Sequence, residues 1–353
     1  MYRTRLRLRA LQGLQTGRTL SIIIWKRIKW RALKNGRVDR MELRKDYILD
    51  RWVYFAESRK DRPKEYPGGK EPISGSCNFC AGHEESTPAE IGRIGDKKSW
   101  DIRWIPNKFP AVVEECNPDV STDNTFFTYA QAYGRHEVII ESPVHTEQLW
   151  DFGVQKLSTL LKVYNRRVGE LLNMNNIGYV SLFKNHGKEA GASLVHSHTQ
   201  LVALSMVPRA VHEKAVASRN FGSCPHCRII QVEKQSSRRC FENASFVAFT
   251  PYSSRFNYEL WVYPKAHIKT FGELNNAQID DLAQILQKVL AKLKQINAPY
   301  NILMVNSPRG DNLHAHIEIT PRTGIWAGLE LETETYINSI LPEYAASFYR
   351  GEI

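Results

Sequence analysis

The sequence predicts an α+β fold written twice in tandem, each copy an antiparallel sheet covered by one helix. Three observations predict it. One order of motifs occurs twice along the chain, each copy holds one long run with apolar residues at three- and four-residue steps, and the segments around those runs are short and rich in Val, Ile, Tyr and Phe. At 353 residues and 42% hydrophobic, the chain can fill the core such a fold needs.

The first forty residues stand apart. They hold twelve Lys or Arg and one acidic residue, which accounts for the whole formal charge of +11 and leaves the rest balanced at 36 of each sign. The body is therefore not a basic, nucleic-acid-binding protein by composition. The one apolar cluster here, Leu20 to Ile24, is far below the ~20 residues of a membrane span. An Arg-rich, acid-poor segment has the composition of an organellar transit peptide, and a tail for nucleic acid or an anionic membrane is a sharper alternative. The plainer reading is a disordered extension or an early start, because MELRKDYILDRW from Met41 reads like a natural beginning. No later run is long enough to cross a bilayer, so the body is expected to be soluble and cytoplasmic, without a membrane or nucleic-acid partner.

The first copy opens with Cys77-Asn-Phe-Cys80. A strand-like run HEVIIESP follows, then His145, the helical run QLWDFGVQKLSTLLKVYNRRVGELL, the strand YVSLFKN, the polar loop HGKEAGAS, and a strand holding His196-Ser-His198. The second copy repeats the order: Cys224-Pro-His-Cys227, the strand YELWVYPKA, His267, the helical run FGELNNAQIDDLAQILQKVLAKLKQI, the strand YNILMVN, the loop SPRGDN, and His314-Ala-His316. Residues 206–222 lose the strand pattern. This divides the chain into domains at about 41–208 and 218–345, packed as a pseudo-dimer.

Six cysteines include these two C-x-x-C pairs, while Cys116 and Cys240 stand alone. In a chain of this size without a secretory signal, the pairs point to metal ligands in a reducing compartment rather than to disulfides. Zn²⁺ takes four N or S ligands in a tetrahedron, and each copy offers two cysteines and two histidines in the same order. The expected sets are Cys77, Cys80, His145 and His196, and Cys224, Cys227, His267 and His314, two zinc ions per chain.

Alternate residues of a strand share a face, so His196 and His198 are expected to project the same way. Either both ligate metal, or His198 is a free imidazole held beside a metal-bound neighbour. The cysteines already complete a four-ligand set, which favours the second. A neutral imidazole attacks phosphorus without a separate base, so His198 is the candidate nucleophile for phosphoryl or nucleotidyl transfer. Gln200, two residues on, can hydrogen-bond a phosphoryl oxygen but cannot supply a catalytic proton, which suits transfer between phosphates.

The stretch NHGKEAGASLVHSHTQ, with RKDYILDRWVYFAESRKDRP, NKFPA, SPVH and the late GLELETETYIN, resembles the galactose-1-phosphate uridylyltransferase family of the histidine-triad superfamily. The resemblance runs from about Met41 to the end and implies two tandem histidine-triad-like domains. It implies ping-pong transfer from a nucleotide sugar to a sugar 1-phosphate, a nucleotidyl-histidine intermediate on His198, and a homodimer. By the same resemblance Gln200, Asn185 and Ser193 bind phosphoryl groups, Gly191 lets the backbone approach, Arg59 and Arg62 clamp phosphates, Asn107 faces the nucleotide, and Glu330 of the C-terminal GxE segment binds substrate. Read without it, Arg59 and Arg62 are a solvated face, Asn107 and Asn185 turn residues, and Ser193 a loop residue. Ser197 replaces the proline between the histidines of the well-known enzymes, which looks more like the branch holding ADP-glucose phosphorylases and archaeal or bacterial uridylyltransferase-like proteins. Gly324 and Ile325 stand where many relatives have a lysine. His316 takes the place of a second nucleophile, but Glu318 stands where a glutamine would be, so it is read as vestigial or structural. The expected activity is UDP-glucose–hexose-1-phosphate uridylyl transfer. The rivals are an ADP-glucose phosphorylase and a non-catalytic, zinc-stabilised nucleotide-binding protein.

Overall fold

The computed structural model describes residues 33–34, 37–38, 41–56, 77–122 and 126–353. Chain contacts divide it into residues 1–38 and 39–353. In the first unit, strands β1 (Leu33–Lys34) and β2 (Arg37–Val38) pair antiparallel.

In the second unit, β3 (Met41–Lys45) pairs antiparallel with β4 (Trp52–Ala56). The strands β5 (Gly92–Gly95), β6 (Trp100–Pro106), the short pair β7 (Ser121–Thr122) and β8 (Thr128–Tyr129), and β9 (Gly134–Ile140) lead to helix α1 (Val154–Leu172). Strands β10 (Tyr179–His186) and β11 (His198–Leu204) complete the first copy. Two helices, α2 (Arg209–Arg219) and α3 (Pro225–Glu233), occupy and follow the join where the strand pattern fades. The second copy runs β12 (Arg239–Glu242), β13 (Phe246–Phe249), β14 (Leu260–Pro264), α4 (Asn276–Gln295), β15 (Tyr300–Val305) and β16 (His316–Pro321). Helix α5 (Gly328–Thr333), strand β17 (Tyr336–Asn338) and helix α6 (Pro342–Arg350) close the chain, with β17 parallel to β4.

Ten strands form one antiparallel sheet in the order β12-β13-β14-β16-β15-β10-β11-β9-β6-β5. The two copies join through β10 and β15, where Leu182 lies opposite Met304 and Asn185 opposite Asn301. Both long helices cover the same face. Leu157, Leu160, Leu161 and Val168 of α1 and Ile279, Leu282, Leu286 and Leu290 of α4 share one core with Leu182, Leu201, Ile302 and Ile317 of the sheet. The helical pattern predicted from residues 148 and 271 resolves in the same way in both copies. A single turn of 3₁₀ helix (Leu149–Asp151 and Phe271–Glu273) closes on its own capping box before the α-helix starts. Asn275 then caps α4 by accepting from the Gln278 amide. No helix among the described residues is long and apolar enough to cross a membrane.

The shared helix layer makes α4 a test of the whole fold. Leu290 is fully buried in it. Leu290→Ala is expected to cost about 2–5 kcal/mol in urea denaturation, with the midpoint falling and the slope unchanged.

Candidate active site and metal centres

The structure draws each predicted Cys/His quartet together, with its four ligand atoms within 4.8 Å of one another. Cys80 Sγ lies 3.5 Å from His145 Nδ1 and 3.7 Å from His196 Nδ1, and Cys77 Sγ lies 3.6 Å from His196 Nδ1. In the second copy Cys227 Sγ is 3.6 Å from His267 Nδ1 and 3.5 Å from His314 Nδ1. Metal–sulfur bonds of ~2.3 Å and metal–nitrogen bonds of ~2.0 Å at tetrahedral angles put S and N about 3.5 Å apart. Both quartets fit that figure. His145 Nε2 is buried without a partner among the described residues, and in the other three histidines the remaining ring nitrogen donates outward: His196 Nε2 to the Ser142 carbonyl at 2.7 Å, His314 Nε2 to the Pro264 carbonyl at 3.0 Å, and His267 Nε2 to Asn312 Oδ1 at 3.1 Å. This fixes Nδ1 of each as the free lone pair a metal requires. Burial and the neighbouring Cys224 sulfur push the Cys227 thiol up to about 11, so a cation is what would make this thiol ionise at neutral pH.

Strand β11 begins at His198, not two residues earlier as the sequence suggested. His196 sits in a bend before it, because its ring must reach the cysteines rather than continue the ladder. The two rings nevertheless share a side, both meeting the edge of Phe79 at centroid distances of 6.0 and 5.6 Å. His198 Nδ1 donates to the His196 carbonyl at 2.9 Å. Its Nε2 therefore carries the lone pair, and it has no partner among the described residues. His198 is outside both metal quartets. Burial pulls its pKa below the ordinary value, with the Lys184 ammonium adding to this and the His196 carbonyl opposing it.

Gln200 lies on the same face as His198, and its Oε1 is 3.0 Å from His136 Nε2 on β9. Asn107 is there too, its Nδ2 3.0 Å from that nitrogen and its Oδ1 accepting from the Phe109 amide at 2.9 Å. Asn185 stands one strand over, its Oδ1 accepting from Asn301 Nδ2 at 2.8 Å, while the same nitrogen holds the Ala190 carbonyl at 2.8 Å. The second copy thus steadies the loop that leads to His196. Gly191 ends the turn Lys188–Ala190 at φ 82°, with open space where a Cβ would be. Ser193 is exposed in the same loop. Glu330 is buried on α5, where its Oε2 accepts from the Ala327 amide at 3.0 Å and caps the helix. Arg59 and Arg62 lie outside the described residues.

Comparison with known proteins agrees with this geometry. Residues 36–208 match the family model for the galactose-1-phosphate uridyl transferase N-terminal domain. ADP-glucose phosphorylase of Arabidopsis thaliana is 32% identical over 332 residues, 88% of this chain and 92% of that one. The chain belongs to the galactose-1-phosphate uridylyltransferase family. The uridylyltransferase of Thermotoga maritima is 27% identical across 87% of this chain and 96% of its own. Among solved structures, the Arabidopsis ADP-glucose phosphorylase with bound ADP-glucose superposes with a TM-score of 0.77 at 30% identity, covering 88% of this chain and 99% of that one. A uridylyltransferase superposes with a TM-score of 0.69 at 29% identity, covering 88% and 98%. The protein is therefore an enzyme, a uridylyltransferase-like nucleotidyltransferase built on the family's α+β fold.

Both strand histidines of this uridylyltransferase-family chain are buried, but among the described residues only His198 has an Nε2 without a partner, and in that sense it is the open one. His316 repeats the first frame, with Nδ1 donating to the His314 carbonyl at 2.9 Å. Its ring is sealed between Tyr263 and His226, at centroid distances of 4.7 and 5.4 Å. Its Nε2 lies 3.3 Å from Glu318 Oε1, and Glu318 is itself tied to Lys214 and, at 2.6 Å, to Arg255. Burial pushes the Glu318 carboxyl up, but the Lys214 and Arg255 cations outweigh it and hold the group well below the carboxylate range.

Sequence reading missed the polar hub beneath the open histidine. Glu141 is fully buried and accepts from Lys184 Nζ and Ser197 Oγ at 2.5 Å, and from Thr199 Oγ1 and Tyr164 OH at 2.6 Å. Lys184 also donates to the His198 carbonyl at 3.1 Å. The available signal was a Glu and a Lys inside otherwise apolar strand runs, where a buried charge needs a partner. Burial pushes the Glu141 carboxyl up, but the Lys184 ammonium and the hydroxyls outweigh it and leave its pKa below the ordinary value. A depressed carboxylate pKa gives stability that is present above the unfolded value of ~4.3 and lost as pH falls through the folded value. Lys184→Met is expected to cost about 3–5 kcal/mol at pH 7 by leaving the carboxylate unpaired. Urea melts at lower pH should show the penalty shrinking as Glu141 takes up a proton.

Proposed function

We propose that the chain moves a nucleoside monophosphate between a sugar nucleotide and a sugar 1-phosphate, with UDP-glucose and galactose 1-phosphate as the pair and His198 as the carrier. One observation carries this reading: a neutral, rigidly held imidazole with Nδ1–H on a carbonyl and an Nε2 that has no partner among the described residues, beside a metal-type quartet that it does not join. In the first step Nε2 attacks the α-phosphorus. The N–P bond forms as the P–O bond to the sugar 1-phosphate breaks, and the departing oxygen keeps the electron pair. The ring becomes a cation whose Nδ1–H still points at the His196 carbonyl, which stabilises the charge that develops. In the second step a phosphate oxygen of the acceptor sugar attacks phosphorus and Nε2 is released. A phosphate leaving group needs no proton donor, which accords with an amide rather than an acid at Gln200.

In this reading Gln200, Asn185 and Ser193 hold the transferred phosphoryl group, Arg59 and Arg62 neutralise its charge, and Asn107 faces the nucleotide. Gly191 leaves the loop free to approach, and Glu330 of the C-terminal segment binds the substrate. Zinc is the metal we assign to both quartets on the chemistry of their thiolate and imidazole donors, in closed four-ligand sites that supply rigidity and not reaction chemistry. A second reading is favoured by the 32% identical relative, whose name is ADP-glucose phosphorylase. It differs in the base and in the acceptor, inorganic phosphate in place of a sugar phosphate.

Incubation with radiolabelled UDP-glucose or ADP-glucose without acceptor is expected to leave an acid-labile, base-stable nucleotide on the chain. His198→Asn should abolish it, and continued labelling would sink the nucleophile assignment. Release of that label by galactose 1-phosphate supports the transferase, and release by phosphate alone the phosphorylase. Elemental analysis should find two zinc ions per chain. Cys77→Ala and Cys224→Ala should each lose one, with a lower Tm.

A further inference from the structure

His136 is outside every motif that led to the proposed reaction, yet its ring meets Gln200. It lies on β9, on the sheet face that carries His198 and Gln200, because Gln200 pairs with Val138 and Val202 with His136 across the ladder. The Ala111 amide donates to His136 Nδ1 at 3.1 Å. A backbone amide cannot reverse its role. Nδ1 is therefore an acceptor, and the neutral ring carries its proton on Nε2, 3.0 Å from Gln200 Oε1. Asn107 Nδ2, 3.0 Å from the same nitrogen, brings only hydrogens, so with Nε2 protonated it is a contact and not a hydrogen bond, and Gln200 Oε1 takes the proton. With its oxygen so engaged, Gln200 keeps its NH₂ edge unpartnered among the described residues. Burial lowers the His136 pKa, which favours the neutral ring this arrangement uses.

The second copy offers an internal control. Glu318 pairs with Trp261 as Gln200 pairs with Val138, which puts Glu259 in the place of His136. There Arg255 ties the two positions together, reaching Glu259 at 2.9 Å and Glu318 at 2.6 Å. The same diagonal is cross-linked in both copies. In the closed copy it locks the site, and in the open one it leaves an amide donor free.

We infer that His136 is a positioning residue that sets the orientation of the Gln200 amide, so that an N–H edge and not a carbonyl oxygen meets the phosphoryl oxygens of the bound nucleotide. The inference rests on the proposed nucleotidyl transfer for its ligand. Without His136 the amide is free to rotate by half a turn, and half of its orientations would set an oxygen against an oxyanion.

Two arms test it. In ¹⁵N-histidine-labelled protein, His136 should be neutral and Nε2-protonated, and its Nε2 resonance should move in Gln200→Ala. A proton on Nδ1, or a spectrum unmoved by Gln200→Ala, overturns the inference whether or not the chain takes a nucleotide. In single-turnover labelling with UDP-glucose and with ADP-glucose, His136→Phe should slow nucleotide transfer roughly ten- to hundredfold. The nucleotide-sugar concentration for half-saturation and the Tm should change little. His136→Gln can accept from Ala111 and donate to Gln200, and it should restore most of the rate. In a Gln200→Ala background His136→Phe should cost nothing more, whereas an equal further loss there would show that His136 does not act through Gln200. A wild-type chain that takes no label from either sugar would sink the proposed reaction, and the spectral arm would still decide this one.

Discussion

The Glu141 carboxylate is the constraint on which the open half depends. It collects Lys184 from β10, Tyr164 from α1 and the hydroxyls of Ser197 and Thr199 on either side of His198. A buried carboxylate must satisfy nearly all of its lone pairs, so it fixes three elements relative to one another at a single point. That point lies under the segment that turns from metal-type ligand to strand. The imidazole above it inherits its position from the hub on one side and the Cys77/Cys80 quartet on the other.

The second copy shows what the hub is not needed for. Gln200 lies opposite Phe183 and Glu318 opposite Leu303, so Met304 takes the place of Lys184. Ala315 and Ile317 stand for Ser197 and Thr199, and β14 carries no carboxylate. The same strand order, the same quartet and the same Nδ1-to-carbonyl bond form over this apolar set. Apolar replacement of a buried ion pair is commonly neutral or stabilising, so the fold alone gives no reason to keep Glu141 and Lys184. The polar version accompanies the copy whose histidine is open.

Chemistry-bearing residues were the most legible part of the sequence. Two C-x-x-C pairs and two His-x-His segments in one repeated order carried the ligand quartets, because side-chain type and order survive any uncertainty about where a strand begins. The two long helices, α1 and α4, and the six strands β9, β10, β11, β14, β15 and β16 were legible from periodicity. The 3₁₀ turns ahead of α1 and α4 were not, since Leu149 and Phe271 continue the apolar stripe while capping boxes set the true starts. Helix α2 was missed in the join, where only Ala215 and Ser218 are buried and no strong stripe forms. Which strand edges meet was also out of reach. Pairing of β10 with β15 joins two copies more than a hundred residues apart, and hydrophobic alternation specifies a face but not a partner. His136, Glu141 and Lys184 act through contacts between strands, which one strand's sequence does not reveal.

That pairing also explains why a closed copy is retained in the architecture. Strand β11 lies between β9 and β10, and β10 is backed in turn by β15. The histidine strand is therefore interior to a ten-stranded sheet, with ladder hydrogen bonds on both sides, instead of near an exposed edge. The second copy adds Asn301, which holds both Asn185 and the Ala190 carbonyl of the loop before His196. A single copy would end at β10, leaving Asn185 without that partner and the loop without its anchor. The closed half works as the second wall of the open one, and sealing its own histidine costs the site nothing.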